Sequence, residues 1–176
     1  EPVQRNVDDR LLTGQGHYID DIDLPSVAHA AFLRSPFARA KITSMDVSPA
    51  RAHPGVLGVF TCDDIGHIDQ DLPLLIPHPC LVGPRTQRPL ARGDVYYVGQ
   101  TVAMVVAVDR YTAEDAVRLI EVEYDPLPVS VELEDAAADG ANLVHEDVAG
   151  NVAAHFVQNS GDAAAAFARA DHVTKI

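Results

Sequence analysis

Between residues 95 and 128 the apolar positions follow three patterns in turn. Val102, Ala103, Met104, Val105, Val106 and Ala107 are apolar at odd and even positions alike, the pattern of a strand covered on both faces, so 102–108 is predicted as a central strand. From residue 112 the period becomes helical. Ala113, Ala116, Val117 and Ile120 fall at i, i+3, i+4 and i+7, and Thr112 with Asp115 spells a T-x-x-D capping box. Glu114 and Arg118 lie one turn apart on the wet face as a supporting pair. At 121–124 strict alternation takes over, with Glu121 and Glu123 outward, Val122 and Tyr124 inward, and Pro126 and Pro128 closing the strand. A strand over 95–98 precedes this unit and joins the central strand through Gly99-Gln100.

The same reading extends to the rest of the chain. Residues 1–25 are polar, carry Gly14 and Gly16 and keep no period, which predicts an extended arm with turns. Strands follow at 27–33 and 41–47, separated by Pro36. Ser48-Pro49 then supplies an N-cap and a first-turn proline for a short helix reaching His53, and Pro54-Gly55 leads into a strand at 56–61. Prolines at 73, 77, 79, 84 and 89 break up residues 62–93, a long irregular excursion of the kind used for function, flexibility or contact with a partner. Val129 and Val131 predict one more short strand, and a helical turn follows over 132–138. Beyond Asp139-Gly140 the chain turns alanine-rich. A strand is expected at 152–157, then a helix capped by Asp162 that buries Ala163, Ala166, Phe167 and Ala170, then the start of a strand at 172–176. Ending inside a strand is what truncation, cleavage or a split gene would produce. The sum is an α+β fold with one buried mixed sheet and short helices, divided into an arm (1–25), a domain (26–141) and a linker that begins a further region (142–176).

Composition narrows the function. The 176 residues, 47% of them apolar, suffice for one domain of about 150 residues and its core. No apolar run approaches the ~20 residues of a membrane span. Thirteen Lys and Arg against twenty-six Asp and Glu give a net charge of −13, which repels phosphate backbones, so nucleic acid is not an expected partner. Cys62 and Cys80 stand alone without a CxxC, too few thiolates for an iron–sulfur cluster or structural zinc. Read as free thiols, they point to a reducing, cytoplasmic location.

Candidate chemistry is sparse. Gly14-Gln15-Gly16 lacks the third glycine and the preceding strand of a dinucleotide loop. Asp20, Asp21 and Asp23 lack the glycine and terminal glutamate of a calcium loop. Asp63, Asp64, His67, His78 and Cys80 are metal-ligand types at spacings that match no regular site. No GxSxG elbow occurs, and Arg92-Gly93-Asp94 reads as a turn before the 95–98 strand. No residue is therefore assigned a catalytic, cofactor-binding or metal role. Five are candidates for contact with other domains. Gly99 permits a tight bend from which Gln100 would project an amide toward a neighbour. Arg34, Phe37 and Arg39 would anchor further contacts; the alternative is that Phe37 plugs the local core and both arginines are solvated.

Four stretches occur in a recognisable order: GQGHYIDDI at 14–22, RSPFARAKI at 34–42, HPGVLGVFT at 53–61 and YYVGQTVAMVVAVDRYTAEDAVRLIEVEYDPLP at 96–128. With them the chain resembles the N-terminal region of the large subunit of the molybdenum hydroxylases, the xanthine dehydrogenase, aldehyde oxidase and aerobic carbon monoxide dehydrogenase family. The resemblance implies an a/b hammerhead domain over 26–141, with 142–176 beginning the molybdenum-binding region. It also implies an oxidoreductase that hydroxylates an aldehyde, a heterocycle or carbon monoxide with water-derived oxygen. The complete enzyme would use molybdopterin, of the cytosine dinucleotide type, with molybdenum, together with iron–sulfur clusters and FAD on other domains or subunits. Its partners would be the remainder of the large subunit, the iron–sulfur and flavin subunits and a small-molecule substrate. The family's catalytic and pterin-contacting motifs lie beyond Ile176, so none is carried onto this chain, which is expected to be inactive alone. Two alternatives differ in class: a stand-alone binding or assembly module with the same fold, and a small enzyme using the cluster from His67 to Cys80. A stand-alone module should bury its own apolar faces, whereas part of a larger subunit should leave them uncovered.

Overall fold

A computed structural model of the chain describes residues 3, 5–22 and 24–174. Seven of its elements surround the strand that the continuous apolar run predicts. This strand, β5 (Thr101–Ala107), lies between β1 (His29–Arg34) and β3 (Val56–Phe60) and runs antiparallel to both. Ala103 and Val105 point to one side, where they pack with Val59, with Ala50 of α2 (Ser48–Ala52) and with Ala116 of α3 (Arg110–Val117). Val102 points to the other side, into a second cluster with Ala40, Ala91 and Val95. A strand that serves two cores has no face left for polar residues, which is why its sequence does not alternate.

Ala40 and Val95 belong to a second three-stranded antiparallel sheet, in which β2 (Ala40–Asp46) lies between β4 (Asp94–Val95) and β6 (Glu121–Pro126). The α+β class stands, but the expected single mixed sheet is two antiparallel ones. The chain changes sheet between β1 and β2 around Ser35, and again between β4 and β5 around Gly99, so strands close in sequence join different sheets. On β6 the alternation reads as expected, with Val122 and Tyr124 half-buried and Glu121 and Glu123 exposed.

Helix ends depart from the sequence reading in one consistent way: an aspartate just upstream captures a backbone N–H first. Asp109, not Thr112, caps α3, its two carboxylate oxygens accepting from Thr112 N and Thr112 Oγ1 at 2.8 Å each. Those bonds hold the Asp109 carboxyl below its ordinary range. Likewise Asp46 accepts from Ser48 N at 2.8 Å, and Ser48 becomes the first residue of α2. Arg118 lies 3.9 Å from Asp115 instead of pairing with Glu114.

Outside the two sheets the expectations thin out. The arm is not wholly extended: it contains α1 (Asp8–Leu12) and a 3-10 turn at Ile19–Asp21, and the Asp20 carboxylate is clamped by both terminal nitrogens of Arg110, at 2.6 and 3.2 Å. Asp23 lies outside the described residues, as do Lys175 and Ile176 at the end of the expected last strand. β4 stops at Val95, three residues short of expectation. No strand forms at 129–131 or 172–174, and the expected strand at 152–157 is reduced to a single bridge between Leu81 and Ala154. The helical turn is confined to α4 (Leu133–Ala136). In α5 (Ala163–Ala168) Asp162 does cap the helix, accepting from Ala165 N at 2.9 Å, yet the helix buries nothing and Phe167 is 65% exposed. A short helix with one apolar stripe gains burial only from a neighbour, and none of the described elements packs extensively on it.

Candidate functional site

Gly99 has φ +88°, a left-handed conformation that favours glycine, and it turns the chain from β4 into β5. The bend is locked to the end of β1: Gly99 N donates to Ser35 O (2.8 Å), Ser35 N donates to Gln100 O (2.9 Å), and Arg34 Nη1 donates to Gly99 O (2.9 Å). Gln100 does not project outward. It is 4% exposed, and its Oε1 accepts from Tyr96 N at 2.7 Å. With β4 ended, the Tyr96 N–H needs an acceptor, and the amide supplies one from inside the turn. Each of the five contact candidates also makes contacts within the chain. Arg34, Gly99 and Gln100 build the turn. Phe37 packs on Tyr124 with ring centroids 5.1 Å apart and fills the second core. Arg39 donates through Nη1 to Leu143 O, 104 residues away, and its buried Nε has no hydrogen-bond partner among the described residues.

Behind this turn the 62–93 excursion folds back to form a cleft of about 590 Å³, lined among others by Asp71, Arg85, Arg88, Tyr96, Gln100 and His145. Ion pairs make its walls. Asp69 Oδ2 receives Arg92 Nε at 2.5 Å and Arg88 Nη1 at 3.2 Å; Arg88 also reaches Asp71 at 3.2 Å, and Arg92 reaches Asp63 at 2.9 Å. The hydrogen bond from Arg92, more than any other influence, holds the Asp69 carboxyl below the usual range. Arg85 pairs with Asp147, which ties the excursion to the segment after residue 141. Inside, the Tyr96 and His145 rings lie 4.4 Å apart at 33°, and Tyr97 donates to Gln87 Oε1 at 2.6 Å. Burial lowers the His145 pKa, with Arg85 and Arg39 adding to the effect; burial also raises Tyr96, helped by Asp94. At neutral pH both rings are thus uncharged. Cys62, beside Arg92, is likewise pushed up by burial and stays a thiol.

Three arginines and three aspartates line the cleft. Its positive charge is already spent on aspartates, which leaves little for a phosphate-bearing cofactor. The residues from His67 to Cys80 do not converge: His78 Nδ1 accepts from Cys80 N at 3.1 Å within its own turn, and Asp64 accepts from Thr61 N and Oγ1 and pairs with Arg51. Among the described residues no three His, Cys, Asp or Glu side chains gather to hold a metal ion. Sequence reasoning did not single out Arg85, Arg88 or His145, and it read Arg92 only as part of a turn. Three arginines inside eight residues of an otherwise proline-rich stretch were the available signal.

By its fold the chain is an α+β domain of two three-stranded antiparallel sheets, and its cleft is built from ion pairs rather than from a nucleophile or a metal centre among the described residues. The family described as "Aldehyde oxidase and xanthine dehydrogenase, a/b hammerhead domain" matches residues 13–128, and the chain belongs to that family. It is 42% identical over 145 residues to the carbon monoxide dehydrogenase large chain of Afipia carboxidovorans, covering 82% of this chain and 17% of that one. It is 31% identical over 166 residues to the xanthine dehydrogenase molybdenum-binding subunit of Escherichia coli O157:H7, covering 92% and 21%. Among solved structures, quinoline 2-oxidoreductase from Pseudomonas putida 86 superposes with a TM-score of 0.74 at 42% identity, over 86% of this chain and 19% of that one. The chain thus spans about a fifth of the length of these relatives. The relatives are oxidoreductases of the xanthine dehydrogenase family, which are molybdenum enzymes that use molybdopterin. The cleft does not fit that cofactor, because its arginines are paired and its acids are as numerous as its bases. No helix among the described residues is long and apolar enough to cross a membrane.

Proposed function

We propose that this chain is the N-terminal scaffold part of the large subunit of a molybdenum-dependent hydroxylase and performs no catalysis by itself. Its division is an arm to residue 25, the hammerhead domain over 26–141 and, from 142, the start of the molybdenum-binding region. The whole enzyme would hydroxylate an aldehyde, a heterocycle or carbon monoxide with water-derived oxygen. Molybdopterin, as the cytosine dinucleotide, would be held by the rest of the large subunit, with iron–sulfur clusters and FAD on partner domains or subunits, in the cytoplasm. Within this chain Arg34 is the residue best placed to face another domain: it is exposed, its guanidinium lies 5.8 Å from the exposed Phe32 ring, and the Gly99 turn fixes its root.

The observation that carries the reading is the contrast between a hammerhead match over 13–128 and a following segment that cannot cover itself. No described residue from 149 to 174 is buried, and Phe156, Val157 and Phe167 are 73, 70 and 65% exposed. A stand-alone module of the same fold would be expected to cover such side chains. The test is molybdenum content in protein purified gently from its native source by gel filtration, with co-eluting polypeptides identified by mass. Stoichiometric molybdenum in a large complex containing this sequence is the expected result. A metal-free monomer of 18.9 kDa would overturn the reading and leave the assembly module in its place.

A further inference from the structure

The excursion carries the run Leu72-Pro73-Leu74-Leu75-Ile76-Pro77, in which Leu75 is 95% and Ile76 77% exposed. Beside it runs an apolar groove of about 610 Å³, lined by Leu72, Pro73, Leu74, Leu75, Thr86 and Gln87. A soluble surface seldom presents so continuous an apolar run without a partner. The base of this tip is held by several bonds. Leu72 N donates to Gln87 O at 3.0 Å, Thr86 Oγ1 donates to Leu72 O at 2.5 Å, and Asp69 is gripped by Arg88 and Arg92. A surface fixed in advance loses less entropy on binding than a loose one.

What covers it follows from charge and from tethering. A second copy of this surface is disfavoured, because these 176 residues carry −13 and Asp71 adjoins the run on both copies. The excursion is meanwhile fastened to residues 142–155: Val82 N donates to Ala153 O (2.9 Å), His155 N donates to Cys80 O (2.8 Å), and Arg85 pairs with Asp147. The chain beyond residue 141 therefore runs beside residues 80–85 of the same excursion, and Val144, His145 and Asp147 share a cleft with Asp71, Thr86 and Gln87 at the base of the tip. In the relatives the large chain is about five times the matched length. Covalent attachment gives such a neighbour an effective concentration on the order of millimolar, an advantage that a separate subunit lacks.

Resting on the reading of the chain as part of a large subunit, we propose that the 72–77 run and its groove dock into an apolar pocket with a basic rim on the remainder of the same large chain. Leu75 and Ile76 would be its inserted side chains. The test places the photo-crosslinking residue p-benzoylphenylalanine at position 75, and in a second variant at position 76, of the full-length large chain in its native assembly. Both side chains are exposed enough for the replacement to leave the fold intact. After irradiation the expected product is an intrachain adduct: the large chain keeps its mass on a denaturing gel, and peptide mapping places the new bond outside residues 1–176. An adduct to a second large chain, an adduct to a smaller subunit, a bond confined to 1–176, or no adduct at either position overturns the proposal. Molybdenum measured on the same sample separates the two readings. An intrachain adduct without molybdenum keeps the docking and removes the hydroxylase; molybdenum with no adduct does the reverse.

Discussion

Residues 29–126 and residues 142–174 are held in place by different means. In the first region two small cores share β5, and Val95, Val102, Ala103, Val105 and Ala116 are fully buried. The second region buries Val148 and little else, and it is positioned by hydrogen bonds to its surroundings. Asn151 alone, at a positive φ of 57°, accepts from Val144 N at 2.8 Å and donates to Ala136 O and Asn142 O at 2.9 and 3.0 Å. Arg39 reaches Leu143, and the excursion supplies the bridge at Ala154. A hydrogen bond contributes about 1 kcal/mol net, because water competes for the same groups, whereas a buried Val contributes about 1.5–3 kcal/mol without needing alignment. The first region thus carries its own stability, while the second borrows order from what it touches and leaves its apolar side chains for another neighbour.

The sharpest way to break this contrast is to damage β5. Val105→Asp places a carboxylate where Val105 is 0% exposed, among Ala50, Val59 and Ala116. The expected cost is at least about 4 kcal/mol, most of the margin of a typical domain. Circular dichroism should show loss of both sheets together. If only one sheet melted, β5 would not join the two cores.

Gln100→Leu should cost less, about 1–3 kcal/mol, because it leaves Tyr96 N without its acceptor inside the turn. The urea midpoint should fall without change in slope. A midpoint unchanged from the parent would mean that Tyr96 N finds another partner and that Gln100 is available to project outward after all.

How much of this was legible beforehand divides along the same line. Elements with a buried face announced themselves, since burial imposes a period on the sequence: β5 by its unbroken apolar run, α3 by Ala113, Ala116 and Ile120, and β6 by alternation. Caps were misplaced because Asp109 and Thr112 are both good capping residues, and only the path of the backbone leaving β5 decides between them. The site was read less well. Gln100 was singled out, but the direction of its amide depends on where β4 ends, which Val95 and its neighbours do not reveal. The ion pairs of Asp69 with Arg88 and Arg92 span 19 and 23 residues of irregular chain, where no periodicity constrains which charges meet. At 152–157 the apolar pattern suggested a strand. The side chains are apolar and the strand is missing, because a strand needs a partner edge and only the single bridge from Leu81 is available.

Gly83→Ala sharpens the comparison from the other side. A Cβ there would stand 2.8 Å from Val148 Cγ1 and 3.2 Å from Val152 O, so the excursion and the 142–155 segment would be pushed apart. Overpacking of this kind costs about 1–3 kcal/mol, and here it should fall on local opening only. Amide hydrogen exchange should speed up at Val82, Gly83 and His155 while the amides of β5 keep their protection. Loss of protection at β5 as well would merge the two regions into one cooperative unit.

Acidification should act on the same contact through His145. Burial, then Arg85 and Arg39, lowers its pKa in the folded chain below the ordinary 6.5. Above 6.5 the ring is neutral in both states and nothing is lost. As pH falls from 6.5 toward the folded value, the unfolded segment takes up a proton that the folded one resists, so stability declines across that window and levels off below it. Protection factors at Val148 and Asn151, corrected for the intrinsic pH dependence of amide exchange, should therefore fall between neutral and mildly acidic pH, and His145→Phe should remove that dependence. A persisting dependence would assign it to another group.

The smallest effect expected is the one that most directly tests whether the second region belongs to something larger. Phe167→Ser, in a helix with no buried residue, should change the stability of the 176-residue chain by no more than about 0.5 kcal/mol. An aromatic ring left 65% exposed loses almost nothing when it is removed. In the full-length large chain the same substitution should cost several times as much, because a ring of that size recovers its burial wherever α5 finds a surface. Thermal melts of the two forms measure the difference. Equal, negligible shifts in both would mean that α5 stays uncovered in the complete subunit, and the segment after residue 148 would then be a solvated linker rather than the beginning of the next packed unit.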